Sequence, residues 1–134
     1  MSAWRRIAIQ RLPKHRRAIQ ESKSVCELFV ALDNHFTSAH REPIDEQTIR
    51  GFYEFAWWAV AVSGNDQIRS EAANGFFEDL PKDKRVRELL PCYMTREQFL
   101  EMVKIFGYDL TPEEHSEFVQ DFLKRREALQ RGRK

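Results

Sequence analysis

Residues 45–63 read DEQTIRGFYEFAWWAVAVS, and this stretch decides the fold. Helical spacing puts Ile49, Phe52, Tyr53, Ala56 and Val60 on one face and Phe55, Trp58, Ala59 and Val62 on a second arc. A helix that is apolar over most of its circumference is usually the buried centre of a bundle. The stretch therefore predicts a central helix from Asp45 to Ser63, stopped by Gly64-Asn65.

The same periodicity recurs on either side. Val25, Leu28, Phe29, Leu32 and Phe36 form one face of a helix that Ser22 or Ser24 would cap and that closes before Pro43. After the centre, Asn65 opens a helix with Ile68, Ala72, Phe76 and Leu80 inward, ended by Pro81. A short helix over about 83–90 carries Val86, Leu89 and Leu90 and stops at Pro91. Thr95 and Gln98 have capping-box spacing ahead of Phe99, Met102, Val103 and Phe106, with Gly107 as the C′ residue. Thr111-Pro112-Glu113-Glu114 gives the clearest start signal, leading into Phe118, Val119, Phe122 and Leu123. No run alternates with period two beyond a few residues, and no Asn-Gly or Asp-Gly hairpin turn occurs. The expectation is an all-α, single-domain bundle of five to six helices around residues 45–63, and 134 residues suit one domain.

Charge divides the chain into three stretches. Residues 1–20, a basic arm or helix, hold six Lys and Arg and no acid. Residues 124–134, a basic helix end or tail, hold six against Glu127. The body, 21–123, then holds ten bases and twenty acids, although the whole chain carries only +1. An acidic body favours cationic partners and disfavours DNA, whose affinity comes from neutralised phosphates. On the helix from Asn65 onward and just after it, Glu71, Glu78, Asp79 and Asp83 form the best candidate acidic surface. The two ends offer an alternative, in which Arg5, Arg6, Arg16, Arg17, Lys124, Arg125 and Arg126 track a nucleic-acid backbone or an anionic membrane surface; otherwise the ends are solvated or pair with the acidic body.

Residues 1–20 are Arg-rich and acid-free like a mitochondrial presequence, but they are poor in serine, and a basic helix or arm fits better. The longest apolar run, Phe55 to Val62, is far short of a membrane span. Cys26 and Cys92 provide no disulfide framework, so the cytoplasm is the expected compartment.

Few residues suggest chemistry. The chain has no nucleophile elbow, no paired metal-ligand spacing among His15, His35, His40 and His115, and no glycine cradle for phosphate. The expectation is a protein without catalysis, metal or cofactor. Glu54 interrupts an apolar run, where burial would raise its pKa, but an Arg50–Glu54 pair at i,i+4 is the simpler account. Trp58 is core if another helix covers it and an anchor for a partner if none does. A homodimer formed through Trp57 and Trp58, or through the amphipathic first segment, is a further way to cover such a surface.

Phe52 to Val60, then Gly64-Asn65-Asp66, then Gly75-Phe76-Phe77-Glu78-Asp79-Leu80 make up a pattern of aromatics and acids. Over about residues 45–125 it resembles uncharacterised all-helical bacterial proteins grouped with immunity proteins of polymorphic toxin systems. In those proteins a tryptophan-bearing helix precedes an aromatic-Glu-x-Leu helix end. The resemblance implies a small cytoplasmic protein that blocks a toxin by binding it, with no catalysis of its own; the acidic body separately suits binding a toxin or another basic protein.

Overall fold

Ser24, Asp45, Asn65, Asp83, Thr95 and Thr111 each accept a hydrogen bond from a backbone amide three residues on, and each of these caps starts a helix. The structure is a computed structural model describing residues 1–132, and every regular element among them is helical. Arg133 and Lys134, at the end of the basic 124–134 stretch, lie outside the described residues. The helices are α1 (Ala3–Arg11), α2 (Arg16–Glu21), α3 (Val25–Ala39), α4 (Glu46–Trp57), α5 (Asp66–Gly75), α6 (Lys84–Tyr93), α7 (Arg96–Glu101), α8 (Val103–Phe106) and α9 (Pro112–Arg131).

Among the described residues nine helices replace the expected five to six, for two local reasons. The first twenty residues form α1 and α2, and Met102, at φ −98° and ψ 2°, divides the expected fifth helix into α7 and α8. Two boundaries also move. The helix opened by Asn65 ends at Gly75 instead of Leu80, because Phe76 leaves the helical region at φ −124° and a 3₁₀ segment, Phe77–Lys82, follows. Pro91 lies inside α6 instead of ending it. It deprives the Arg87 carbonyl of an amide partner, but only one turn from the helix end.

The chain forms two compact units, Met1–Phe77 with α1–α5 and Glu78 onward with α6–α9. In the first unit α4 packs on α1 and α3, and α5 packs on α3. Phe36 of α3 meets Phe52 and Phe76 at ring distances of 5.0 Å each and Tyr53 at 5.7 Å. The basic N-terminal stretch takes part in this packing through buried Trp4, Ala8, Leu12 and Ile19. In the second unit Phe99, Phe106, Phe118 and Phe122 are buried together.

Helix α1 approaches α4 at Gly51. A Cβ there would collide with the Arg11 carbonyl oxygen and touch Leu12 Cδ2 at 3.0 Å. Gly51→Ala should therefore lower stability. Alanine recovers about 1 kcal/mol of helix propensity, but overpacking against backbone costs about 1–3 kcal/mol, and no rotamer relieves it. Urea unfolding read by tryptophan emission checks this, and a raised midpoint would show that α1 moves aside freely.

Gly107, the expected C′ residue, directly follows the last residue of α8. It has φ −83°, and a Cβ there would press on the His115 ring at 3.1 Å. His115 Nε2–H donates to the Val103 carbonyl at 2.7 Å, tying α9 to α8.

Candidate partner-binding surface

Beyond Trp57 the central helix widens. Trp58–Val62 form a π turn in which the Ser63 amide donates to the Trp58 carbonyl, five residues back, at 2.9 Å. Ser63 Oγ–H donates to the Ala59 carbonyl at 2.7 Å, and Gly64 at φ +66° then turns the chain toward the Asn65 cap. The extra residue per turn takes this end of the helix off the α-helical register.

The consequence is an apolar segment only partly covered. Ala59 is fully buried, Trp57, Trp58 and Val60 are half-buried, Ala61 is exposed, and Val62 is 65% exposed. Trp58 stacks on Phe55 at 6.2 Å with an interplanar angle of 15°, which fixes its ring on the helix surface. A regular wheel puts Val62 beside Phe55 in the buried arc, so its exposure was not legible in the sequence.

The predicted acidic residues have local duties. Glu71, in the first unit, accepts from the Val25 amide at 3.2 Å and from Gln67 at 3.3 Å, so it closes the start of α3. Glu78, Asp79 and Asp83 belong to the second unit. Asp83 caps α6. Asp79 and Asp109 flank Lys82 Nζ at 2.9 and 3.1 Å, which raises the lysine pKa. Burial, then a side-chain hydrogen bond with Asp109, pushes the Glu78 carboxyl up, and Lys82 holds Asp109 down. Asp109 comes from a distant turn with no local sequence signal. Glu54 is exposed and pairs with Arg11 at 2.7 Å, while Arg50 pairs with Glu46 at 2.9 Å.

Most of the predicted phosphate-binding cations are also engaged. Arg5 donates to the Ser22 carbonyl at 2.6 Å and lies over the Trp4 ring, and Arg6 donates to the Met1 carbonyl at 3.0 Å. Arg17 pairs with Glu21 and Arg125 with Asp121, and Arg126 donates to the Pro91 carbonyl at 2.8 Å. Arg16 and Lys124 are exposed and form no ion pair among the described residues. By sequence the first unit holds ten bases and nine acids and the second twelve of each, so the charge segregation runs along the chain and not between the units.

Two histidines meet beside this packing. His15 and His35 lie 4.8 Å apart, next to Lys14, which pairs with Asp45 at 3.3 Å. Burial, then the charges of His35 and Lys14, lowers the His15 pKa below its ordinary value near 6.5, and Asp45 opposes them weakly. The folded state thus favours neutral His15 while the unfolded chain takes up a proton first. This contribution to stability is complete above about pH 6.5 and is lost as pH falls below it. The urea midpoint of the wild type should fall between pH 7.5 and 5.5, and His15→Gln should flatten that slope. Equal slopes would remove His15 from the account.

Among the described residues no group of three or more His, Cys, Asp or Glu side chains is placed to hold a metal, and no helix is long and apolar enough to cross a membrane. Cys26 is half-buried and Cys92 exposed, both as free thiols. Compared with protein families, curated proteins and solved structures, the chain matches none.

Proposed function

We propose that this chain is a non-catalytic protein-binding module that docks a partner on the π turn at the end of α4. The supporting observation is the partly uncovered segment Trp57–Val62, with Trp58 held flat on Phe55 and Val62 projecting. Tryptophan is the residue most often found at energetic hot spots, and π turns are over-represented at functional positions. The segment is followed by α5, which opens with Asp66, whose side chain is fully exposed. Near it Glu54 is paired with Arg11 and Glu71 holds the Val25 amide and Gln67, whereas Asp66 meets Arg69 at the longer distance of 3.9 Å. An apolar anchor with this exposed carboxylate at its rim suits a partner that brings a basic group to it, since complementary charge speeds encounter and selects partners. An immunity-type inhibitor of a toxin is the most specific form of this reading.

The test uses the full chain and the protein encoded by the adjacent reading frame. A 1:1 complex is expected on size-exclusion chromatography. Trp58→Ala should weaken it by about 2 kcal/mol, roughly thirtyfold. Val62→Asp alters an exposed side chain, so it should weaken binding without moving the thermal midpoint. Wild-type affinity in Val62→Asp would overturn the docking site, and so would a dimer of this chain that Val62→Asp dissociates.

A further inference from the structure

Within the second unit, an open cleft of about 560 Å³ runs between α6 and α9. Helical spacing builds its walls. Lys84 and Arg87 share one face of α6, and Glu117, Asp121 and Lys124 share one face of α9. Elsewhere on the same helices Val86, Leu90, Phe118 and Phe122 are buried, so the charged faces are held on packed supports.

Much of the charge around the cleft is already matched. Asp79 and Asp109 hold Lys82, Arg125 holds Asp121 at 3.1 Å, and Arg85 holds Glu88 at 3.3 Å. Lys84, Arg87 and Lys124 form no ion pair among the described residues, and Glu117 is the lining carboxylate without one. Glu114, held below the ordinary carboxylate range first by hydrogen bonds from Thr111, also feels the Arg87 charge from beyond ion-pair distance. Arg87 lies over the Phe118 ring at 5.3 Å, which restrains its guanidinium on the cleft wall. Three unpaired cations on two helices therefore outnumber the one unpaired acid.

We propose that this cleft binds a compact phosphate-rich anion, with Lys84 and Lys124 as point charges and Arg87 as the directional donor. A planar guanidinium offers paired N–H groups to phosphate oxygens, and ammonium groups add charge without demanding one geometry. A cleft of this volume admits a small oligophosphate and is too open to strip it of all its water. This site is separate in residues and chemistry from the proposed docking turn, and it stands or falls independently of it.

Isothermal titration of the full chain with sodium tripolyphosphate at low ionic strength tests the proposal. Saturable 1:1 binding is expected, weakening steadily as salt is added. Lys84→Gln with Lys124→Gln changes two exposed side chains and should reduce affinity about tenfold, while Arg16→Gln in the first unit should change nothing. Arg87→Gln should also weaken binding, and its thermal midpoint separates that effect from a loss of packing on Phe118. Citrate, a carboxylate anion of comparable size, should bind more weakly. The proposal is overturned if wild type shows no saturable binding, if the double lysine variant binds like wild type, or if citrate binds equally well.

Discussion

Phe99→Ala should destabilise the second unit by about 3–5 kcal/mol, the range for emptying a buried phenylalanine site. Phe99 is fully buried, its ring stacks on Phe122 at 3.7 Å, and Phe106 and Phe118 lie within 5.5 Å of it. The size of the effect follows from helix length. Helix α7 has six residues and α8 has four, far too few to be helical alone, so tertiary packing must hold them. Among the described contacts, Phe99 is the ring that α7 contributes to that packing. Urea unfolding followed by circular dichroism should show an earlier loss of helix, and amides of residues 96–106 should lose protection from hydrogen exchange. Phe99→Leu, which keeps most of the volume, should cost much less. A midpoint unchanged in Phe99→Ala would mean that the cluster refills the site.

Much of this architecture was legible in the sequence because it is written in local chemistry. Side-chain oxygens ahead of apolar periodic runs marked four helix starts, at Ser22 or Ser24, Asn65, Thr95 and Thr111, and the apolar faces of α3, α4 and α9 named most of their buried residues. What could not be read depends on backbone choices that no single side chain dictates. The π turn at Trp58 changes the angular step between residues, so a wheel drawn at a constant angle places Val62 inside when it lies outside. Likewise Phe76 fits an inward position on an extended α5, yet it leaves the helix and still reaches the core.

The candidate site was legible in part for the same reason. Trp58 could be singled out by residue type, whereas its half-burial is a matter of tertiary packing. The charge pattern is instructive in a different way. Linear segregation leaves the basic ends either free or paired with the acidic body, and folding places Arg11 on Glu54 and Lys14 on Asp45, with each unit near neutrality. Net charge along a chain describes contacts only where the segments remain apart.

Phe76→Ala should be the most damaging change in the first unit. Phe76 is buried just after the last turn of α5, and its ring lies 5.1 Å from Phe29, 5.0 Å from Phe36 and 5.4 Å from Tyr53. One side chain thus joins the end of α5 to both α3 and α4. Alanine would leave a cavity among rings that cannot all shift inward together, again costing about 3–5 kcal/mol. With a urea slope of about 1–3 kcal/mol per molar, the midpoint should fall by more than about 1 M. Trp4, Trp57 and Trp58 all lie in the first unit, so tryptophan emission reports this transition directly. Because α5 also packs on the π turn, the same variant should red-shift native-state emission as Trp57 and Trp58 gain water. A lowered midpoint with unchanged native emission would show that the turn keeps its shape without Phe76, and a midpoint within about 0.3 M of wild type would show that Phe76 does not organise this unit.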